Sequence, residues 1–297
     1  MRVLISGASG LVGTELRAQL KAAGHEPVSL VRRPAFDSSE VEWHPELGFI
    51  TEGAVENIDA VVNLAGATTG KLPWTKSYKK LLISSRIDST RTLVNAIKAA
   101  KNKPTVLISG SASGFYGDTA DLTLDETAPK GTGFLSDLAA QWEAEALKAE
   151  PDARVVLVRT TMVMSRKLGA LGRLLPLLKL GIGGPLGPGN QWWAWISLRD
   201  EARAIIHLIN NHDARGAFNL TAPEPATCAD IVKALAAGLN RPAILPVPAF
   251  ALKLAFGEGA QELLLCSQKM TAHRLIATGF EFEHPTLKSS VDYVLGR

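Results

Sequence analysis

Cysteine is almost missing from this chain. Cys228 and Cys266 are the only two, far apart and without a neighbouring Cys/His cluster. That spacing excludes a thiolate zinc site and a disulfide framework, and it suits a reducing compartment. The six histidines (His25, His44, His207, His212, His273 and His284) are just as scattered and suggest no metal set. No uncharged apolar run approaches the roughly 18 residues of a membrane span. The opening MRVLISG lacks the ordered basic, apolar and cleavage regions of a signal peptide. A net charge of +3 is too small to argue for nucleic acid, and short basic clusters such as Lys79-Lys80 read as solvated faces. These absences lead us to expect a cytoplasmic protein that binds neither membrane nor nucleic acid. Internal repeats, low-complexity tracts and long linkers are missing too.

What is present is core-forming material: 46% of the 297 residues are hydrophobic and 21% charged, enough for a large buried interior. Short apolar runs at Val3–Ser6, Val28–Val31, Ala60–Leu64, Thr105–Ser109 and Val155–Arg159 read as strands. Helical patterns lie between them at Leu11–Ala23, about Lys76–Ala100 and Phe134–Ala149. Continuous apolar strands alternating with helices indicate an α/β fold with a doubly wound parallel sheet of Rossmann type. From about residue 165 the texture changes. A helix is expected over Leu168–Leu180, followed by the loop GIGGPLGPGNQWWAW at 181–195, a helix near Asp200–Asn210, a strand at Ala217–Leu220 and a helix at 227–239. Pro242, Pro246 and Pro248 then introduce a mostly helical tail. The expected organisation is a nucleotide-binding domain over 1–240, with substrate-side insertions from about 165, and a small domain over 241–297 on the same body.

The most informative stretch follows the first strand: Gly7-Ala8-Ser9-Gly10-Leu11-Val12-Gly13. Glycines at a strand-to-helix turn let a diphosphate approach the main chain, and the helix start offers free N–H groups and a partial positive charge. Gly7, Ser9, Gly10, Leu11, Val12 and Gly13 are therefore candidate dinucleotide ligands. The second strand ends Leu30-Val31-Arg32-Arg33, with no carboxylate to bond a ribose 2′-hydroxyl. Two guanidiniums suit a 2′-phosphate instead, so NADP(H) is preferred over NAD(H). His44, near the end of a third strand, is placed to touch the adenine.

These features, with VVNLAGA (61–67), LISGSASGFYGD (107–118) and AWISLRD (194–200), resemble the short-chain dehydrogenase/reductase superfamily in its extended, epimerase-like form. GGPLGPGNQWWAWISLRD, FNLTAPEP (218–225), RPAILPVPAFALKLAFGE (241–258) and ATGFEFEHPTL (277–287) narrow the resemblance to the YfcH-like, NAD(P)-dependent epimerase-family proteins, over essentially the whole chain. The resemblance implies that Leu64, Ala65, Gly66, Ser109 and Arg159 lie on the cofactor side. It also implies a Tyr, with a Lys four residues later, at the start of the helix after strand five. Here those positions hold Gly133 and Asp137, or Phe134 and Leu138 after a one-residue shift. The pair is missing, while Ser111 matches the superfamily's substrate-orienting serine. Tyr116 and Asp137 are the candidate substitutes for proton transfer, and a phenol needs a nearby cation, Arg86 or Arg159, to act as a base. The flat indoles of Trp192 and Trp193 suit stacking on a ligand. By analogy the substrate is a small molecule, a nucleotide sugar among the choices, and the helices at 76–100 and 134–149 form a homodimer seam. The resulting expectation is an NADP(H)-binding oxidoreductase or epimerase. The alternative is a non-catalytic NADP(H)-binding redox sensor or regulator.

Overall fold

The computed structural model describes residues 1–166 and 170–297. The first half alternates β1 (Arg2–Ser6), α1 (Leu11–Ala22), β2 (Glu26–Val31), β3 (Glu40–His44), β4 (Phe49–Ile50), β5 (Ala60–Asn63), α2 (Lys76–Ala99), β6 (Val106–Ala112), β7 (Thr123–Leu124), α3 (Phe134–Leu147) and β8 (Arg154–Thr160). The rest adds β9 (Met162–Met164), α4 (Ala170–Lys179), β10 (Trp195–Ser197), α5 (Leu198–Asn210), β11 (Gly216–Leu220) and α6 (Cys228–Gly238). The tail contains α7 (Ala249–Phe256), α8 (Glu258–Ala260), a π turn at Gln261–Leu265, β12 (Lys269–Met270), α9 (His273–Ala277) and α10 (Leu287–Leu295). Of the helix expected over Leu168–Leu180, Leu168 and Gly169 lie outside the described residues.

The main sheet runs β11-β8-β6-β5-β1-β2-β3-β4, parallel except for β4. Its order reverses between β1 and β5, which opens a crevice at the carboxyl edge. Val3, Ile5, Val62, Ile108 and Val158 pack on the face covered by α1 and α5. Leu4, Val61, Leu107 and Leu157 pack on the other face with Leu93, Val94 and Ile97 of α2 and Ala146 of α3. Burial on both faces explains why these strands read as continuous apolar runs.

A buried polar bracket holds the switch point. Ser6 Oγ donates to Asn63 Oδ1 at 2.6 Å and accepts from the Leu64 and Ala65 N–H groups at 3.1 Å each. Asn63 Nδ2 donates to Thr90 Oγ1 at 2.9 Å. The turn leaving β5 is thereby fixed against the turn leaving β1. A third apolar cluster joins Trp193 and Trp195 to Leu178, Ile231, Leu235, Val291 and Val294, so α4, α6 and α10 share one core beyond the sheet.

Candidate functional site

Close packing requires glycine at two positions of the first turn, Gly7 and Gly13, and crowds the third, Gly10. Gly7 has φ +67°, and a Cβ there would stand 2.6 Å from the Leu64 carbonyl oxygen. A Cβ on Gly13 would stand 2.2 Å from the Gly7 carbonyl oxygen, and one on Gly10 3.1 Å from the same atom. Gly10 caps α1 without a side-chain hydrogen bond, and the first turn carries no acidic residue. Ser9 and Gly10 are exposed. The result is an uncapped helix start at the crevice, a fitting cradle for a diphosphate.

The two arginines beyond β2 differ. Arg33 donates from both terminal nitrogens to Glu40, at 2.7 Å each, and lies over the Phe36 ring. That fork, with the Phe36 N–H, pulls the Glu40 carboxyl down to about 2. Arg32 is exposed and has no ion-pair partner among the described residues. His44 ends β3 at the same sheet edge, with Nε2 3.1 Å from Glu42 and its ring against Phe49. Leu64 is half-buried, Ala65 buried and Gly66 exposed.

The residues expected to do chemistry form a closed interior network. Ser111 Oγ donates to Glu143 Oε1 at 2.6 Å. Arg159 holds both Glu143 oxygens, at 2.8 and 2.9 Å, and donates to the Tyr116 hydroxyl at 2.8 Å. Tyr116 in turn donates to Asn219 Oδ1 at 2.7 Å. The Arg159 guanidinium lies 3.6 Å from the Phe115 ring centroid. The register explains the meeting: Ser111 on β6 pairs with Arg159 on β8. Tyr116 is only 1% exposed, and burial raises its pKa despite the Arg159 charge. The cation sought for the phenol is present, but it does not outweigh desolvation. Ser109 is buried two residue pairs nearer the sheet centre. Asp137 is 62% exposed on the first turn of α3 and pairs with Lys130 at 2.6 Å, away from this network.

Sequence reasoning missed Glu143 and Glu262. Glu143 had a signal, because it falls in step with Ala139 and Ala146 on the buried face of α3. Glu262 had none. Its two oxygens accept the Phe134 and Leu135 N–H groups at 2.7 Å each, across more than 120 residues of sequence. A Cβ on Gly133, where φ is +109°, would come within 3.0 Å of that carboxylate. A tail residue thus stands at the root of the position where the resemblance implies a tyrosine. Trp193 and Trp195 belong to the core, and Trp192 Nε1 donates to Asp121.

Glu201 on α5 is fully buried. One oxygen accepts from Thr160 Oγ1 at 2.7 Å and the other has no partner. Desolvation pushes its carboxyl up to about 8 from an ordinary 4.5. Below pH 4.5 both folded and unfolded states hold the proton. Between 4.5 and 8 only the unfolded state ionises, so folding stability falls as pH rises, and the loss levels off above 8. Glu201→Gln is therefore expected to flatten that slope, with a gain of about 4 kcal/mol at pH 8 and little change near pH 4.5. Urea unfolding at the two pH values measures it, and parallel slopes contradict it.

Among the described residues no cluster of His, Cys, Asp and Glu is arranged to hold a metal ion, and no helix is long and apolar enough to cross a membrane. Burial pushes the thiols of Cys228 and Cys266 up to about 11 and about 12.

The profile of the NAD dependent epimerase/dehydratase family matches residues 3–221, and that of a domain of unknown function matches 247–293. An epimerase family protein of Mycobacterium leprae is 40% identical over 296 residues, covering 99% of this chain and 96% of its own. Human epimerase family protein SDR39U1 is 33% identical over 300 residues, covering 99% of this chain and 100% of its own. The crystal structure of human SDR39U1 (isoform 2) with NADPH superposes with a TM-score of 0.93 at 32% identity, covering 100% of this chain and 99% of that one. A nucleoside-diphosphate sugar epimerase from Corynebacterium glutamicum gives a TM-score of 0.83 at 29% identity, covering 100% of this chain and 58% of that one.

Proposed function

Because the chain belongs to the NAD dependent epimerase/dehydratase family, as an atypical extended short-chain dehydrogenase/reductase, we propose that it binds NADP(H) in preference to NAD(H) and acts as an oxidoreductase or epimerase on a small molecule. The observation that carries this reading is the close-packed glycine turn under an uncapped α1, with an unpaired Arg32 beyond β2. A human relative crystallised with NADPH supports it.

In this reading Gly7, Ser9, Gly10, Leu11, Val12 and Gly13 hold the diphosphate through main-chain N–H groups. Arg32 meets the 2′-phosphate. Arg33, held by Glu40 and stacked on Phe36, forms the wall beside it, and His44 borders the adenine. Leu64, Ala65, Gly66 and Ser109 line the nicotinamide side. Bound nicotinamide supplies or accepts a hydride. Ser111 and Tyr116 position the substrate end of the site through Glu143 and Arg159, and Asp137 is the exposed carboxylate to test for proton exchange. A nucleotide sugar is a substrate class supported by the Corynebacterium relative's name. The division near residue 240, a homodimer through α2 and α3, and a cytoplasmic location belong to the same proposal.

A second reading, a non-catalytic NADP(H) sensor, has its own support. The Tyr/Lys pair is missing, and Ser111 and Tyr116 are committed to interior partners. Titration with NADPH and NADH, then an assay of 340-nm absorbance against carbonyl compounds, quinones and nucleotide sugars, separates the two. Turnover of any member establishes the enzyme, and tight NADPH binding without turnover favours the sensor.

Arg32→Ala is expected to weaken NADPH binding about tenfold, the worth of roughly one charge-assisted contact, while leaving NADH nearly unchanged. Arg33→Ala should do less, since Glu40 already claims that fork. Equal losses for both dinucleotides in a calorimetric titration contradict the assignment.

A further inference from the structure

Arg86 lies on α2, one turn before Thr90, which anchors the end of β5. Its guanidinium rests against the exposed main chain of Gly66, where a Cβ would stand 3.1 Å from Cζ. It also lies 5.3 Å from the centroid of the Trp142 ring. Nη1 donates to the Leu82 carbonyl of the same helix at 3.0 Å. No carboxylate forms an ion pair with Arg86 among the described residues. Arg159 is matched by Glu143, Arg91 by Glu145 and Arg33 by Glu40, while the unpaired Arg32 beyond β2 is exposed to solvent.

Trp142, whose ring face lies under that guanidinium, has an unmatched donor of its own. It is only 7% exposed, and its Nε1 is buried with no acceptor. The far edge of its ring lies under Gly110 of β6, where a Cβ would stand 2.7 Å away. A cation without a carboxylate partner therefore lies over an indole whose own N–H has no acceptor, beside the turn that leaves β5. The same Leu64–Gly66 turn touches Gly7 of the dinucleotide cradle.

A desolvated cation without a counter-charge opposes folding, and so does a buried N–H without an acceptor. Burial pulls the Arg86 guanidinium down to about 10. Unmatched groups of this kind call for an explanation, and a ligand that supplies the missing partner is one. α3 supplies no cation here, since the position where the resemblance implies lysine holds Asp137, paired with Lys130.

We propose that Arg86, seated over the Trp142 ring, forms an oxyanion-binding site at the mouth of the sheet beside Gly66. The inference rests on the NADP(H) reading for its neighbour, the cofactor cradle. The oxyanion comes either from a cofactor phosphate or from a carboxylate or phosphate group of the substrate.

The test uses the full chain and the variants Arg86→Met, Arg86→Lys and Trp142→Phe. Each is titrated with NADPH and with inorganic phosphate, and its thermal midpoint is measured without ligand. Arg86→Met is expected to raise the midpoint by a few degrees, because it removes an uncompensated charge and keeps the apolar stem. It should also lose at least tenfold in affinity for one probe. Loss for NADPH identifies a cofactor phosphate. Loss for phosphate with NADPH unchanged identifies a separate substrate group. Arg86→Lys should retain part of the lost affinity, and Trp142→Phe, which keeps a ring under the guanidinium, should change it little. Unchanged affinity for both probes in Arg86→Met, whatever its midpoint, overturns the site and leaves Arg86 a packing residue. Wild-type protein that binds phosphate through Arg86 but not NADPH overturns the cofactor reading alone, and wild-type protein that binds neither probe overturns both.

Discussion

Glu143→Ala is expected to destabilise the protein by about 3–5 kcal/mol, the usual consequence of removing one partner from a buried ion pair. Arg159 is 4% exposed, and both Glu143 oxygens face it. Without that carboxylate the guanidinium keeps only the Tyr116 hydroxyl and the Glu126 carbonyl as acceptors. Ser111 loses its acceptor in the same step. Urea unfolding measures the loss, and a shift below about 1 kcal/mol means that the pair contributes little. The double variant Glu143→Leu with Arg159→Met should recover much of the stability, because the desolvated charge is then gone as well. The comparison separates the net worth of the pair from the penalty of orphaning its cation.

Gly13→Ala is expected to weaken NADPH binding by at least about 100-fold, together with roughly 1–3 kcal/mol of overpacking strain. The new methyl would meet the Gly7 carbonyl oxygen at 2.2 Å and the Ala8 Cα at 2.9 Å. Both are main-chain atoms, so no side chain can swing aside. α1 must move off β1, and its N–H groups leave the cradle. Gly24→Ala is the control: φ there is +74° with open space around it, so strain near 1 kcal/mol is expected and binding should survive. Equal loss of binding in the two variants contradicts the local argument.

Much of the sheet was legible because its signal is local. Val3–Ser6, Val28–Val31 and Val155–Arg159 are runs buried on both faces, and only a covered parallel sheet needs them. The glycine turn was legible for a related reason: close approach excludes side chains at fixed spacings, and the spacing survives in one dimension. The short strands β7, β9 and β12 carried no such signal, since two or three residues do not establish a period. Arg32 and Arg33 looked equivalent in sequence, and only the fold brings Glu40 beside one of them.

The sequence by itself determined a doubly wound sheet, a glycine-lined turn after its first strand, the lack of a carboxylate beyond β2 and the absence of the Tyr/Lys pair. Each is a matter of residue type at short range. Only the tertiary structure decided that Ser111, Glu143, Arg159, Tyr116 and Asn219 form one buried network, that Glu262 caps α3 beside Gly133, and that Arg86 has no carboxylate partner. Those facts join residues up to about 130 positions apart. A charge in the interior is governed by which groups the packing brings within hydrogen-bond reach, and no local pattern along the chain specifies that distance.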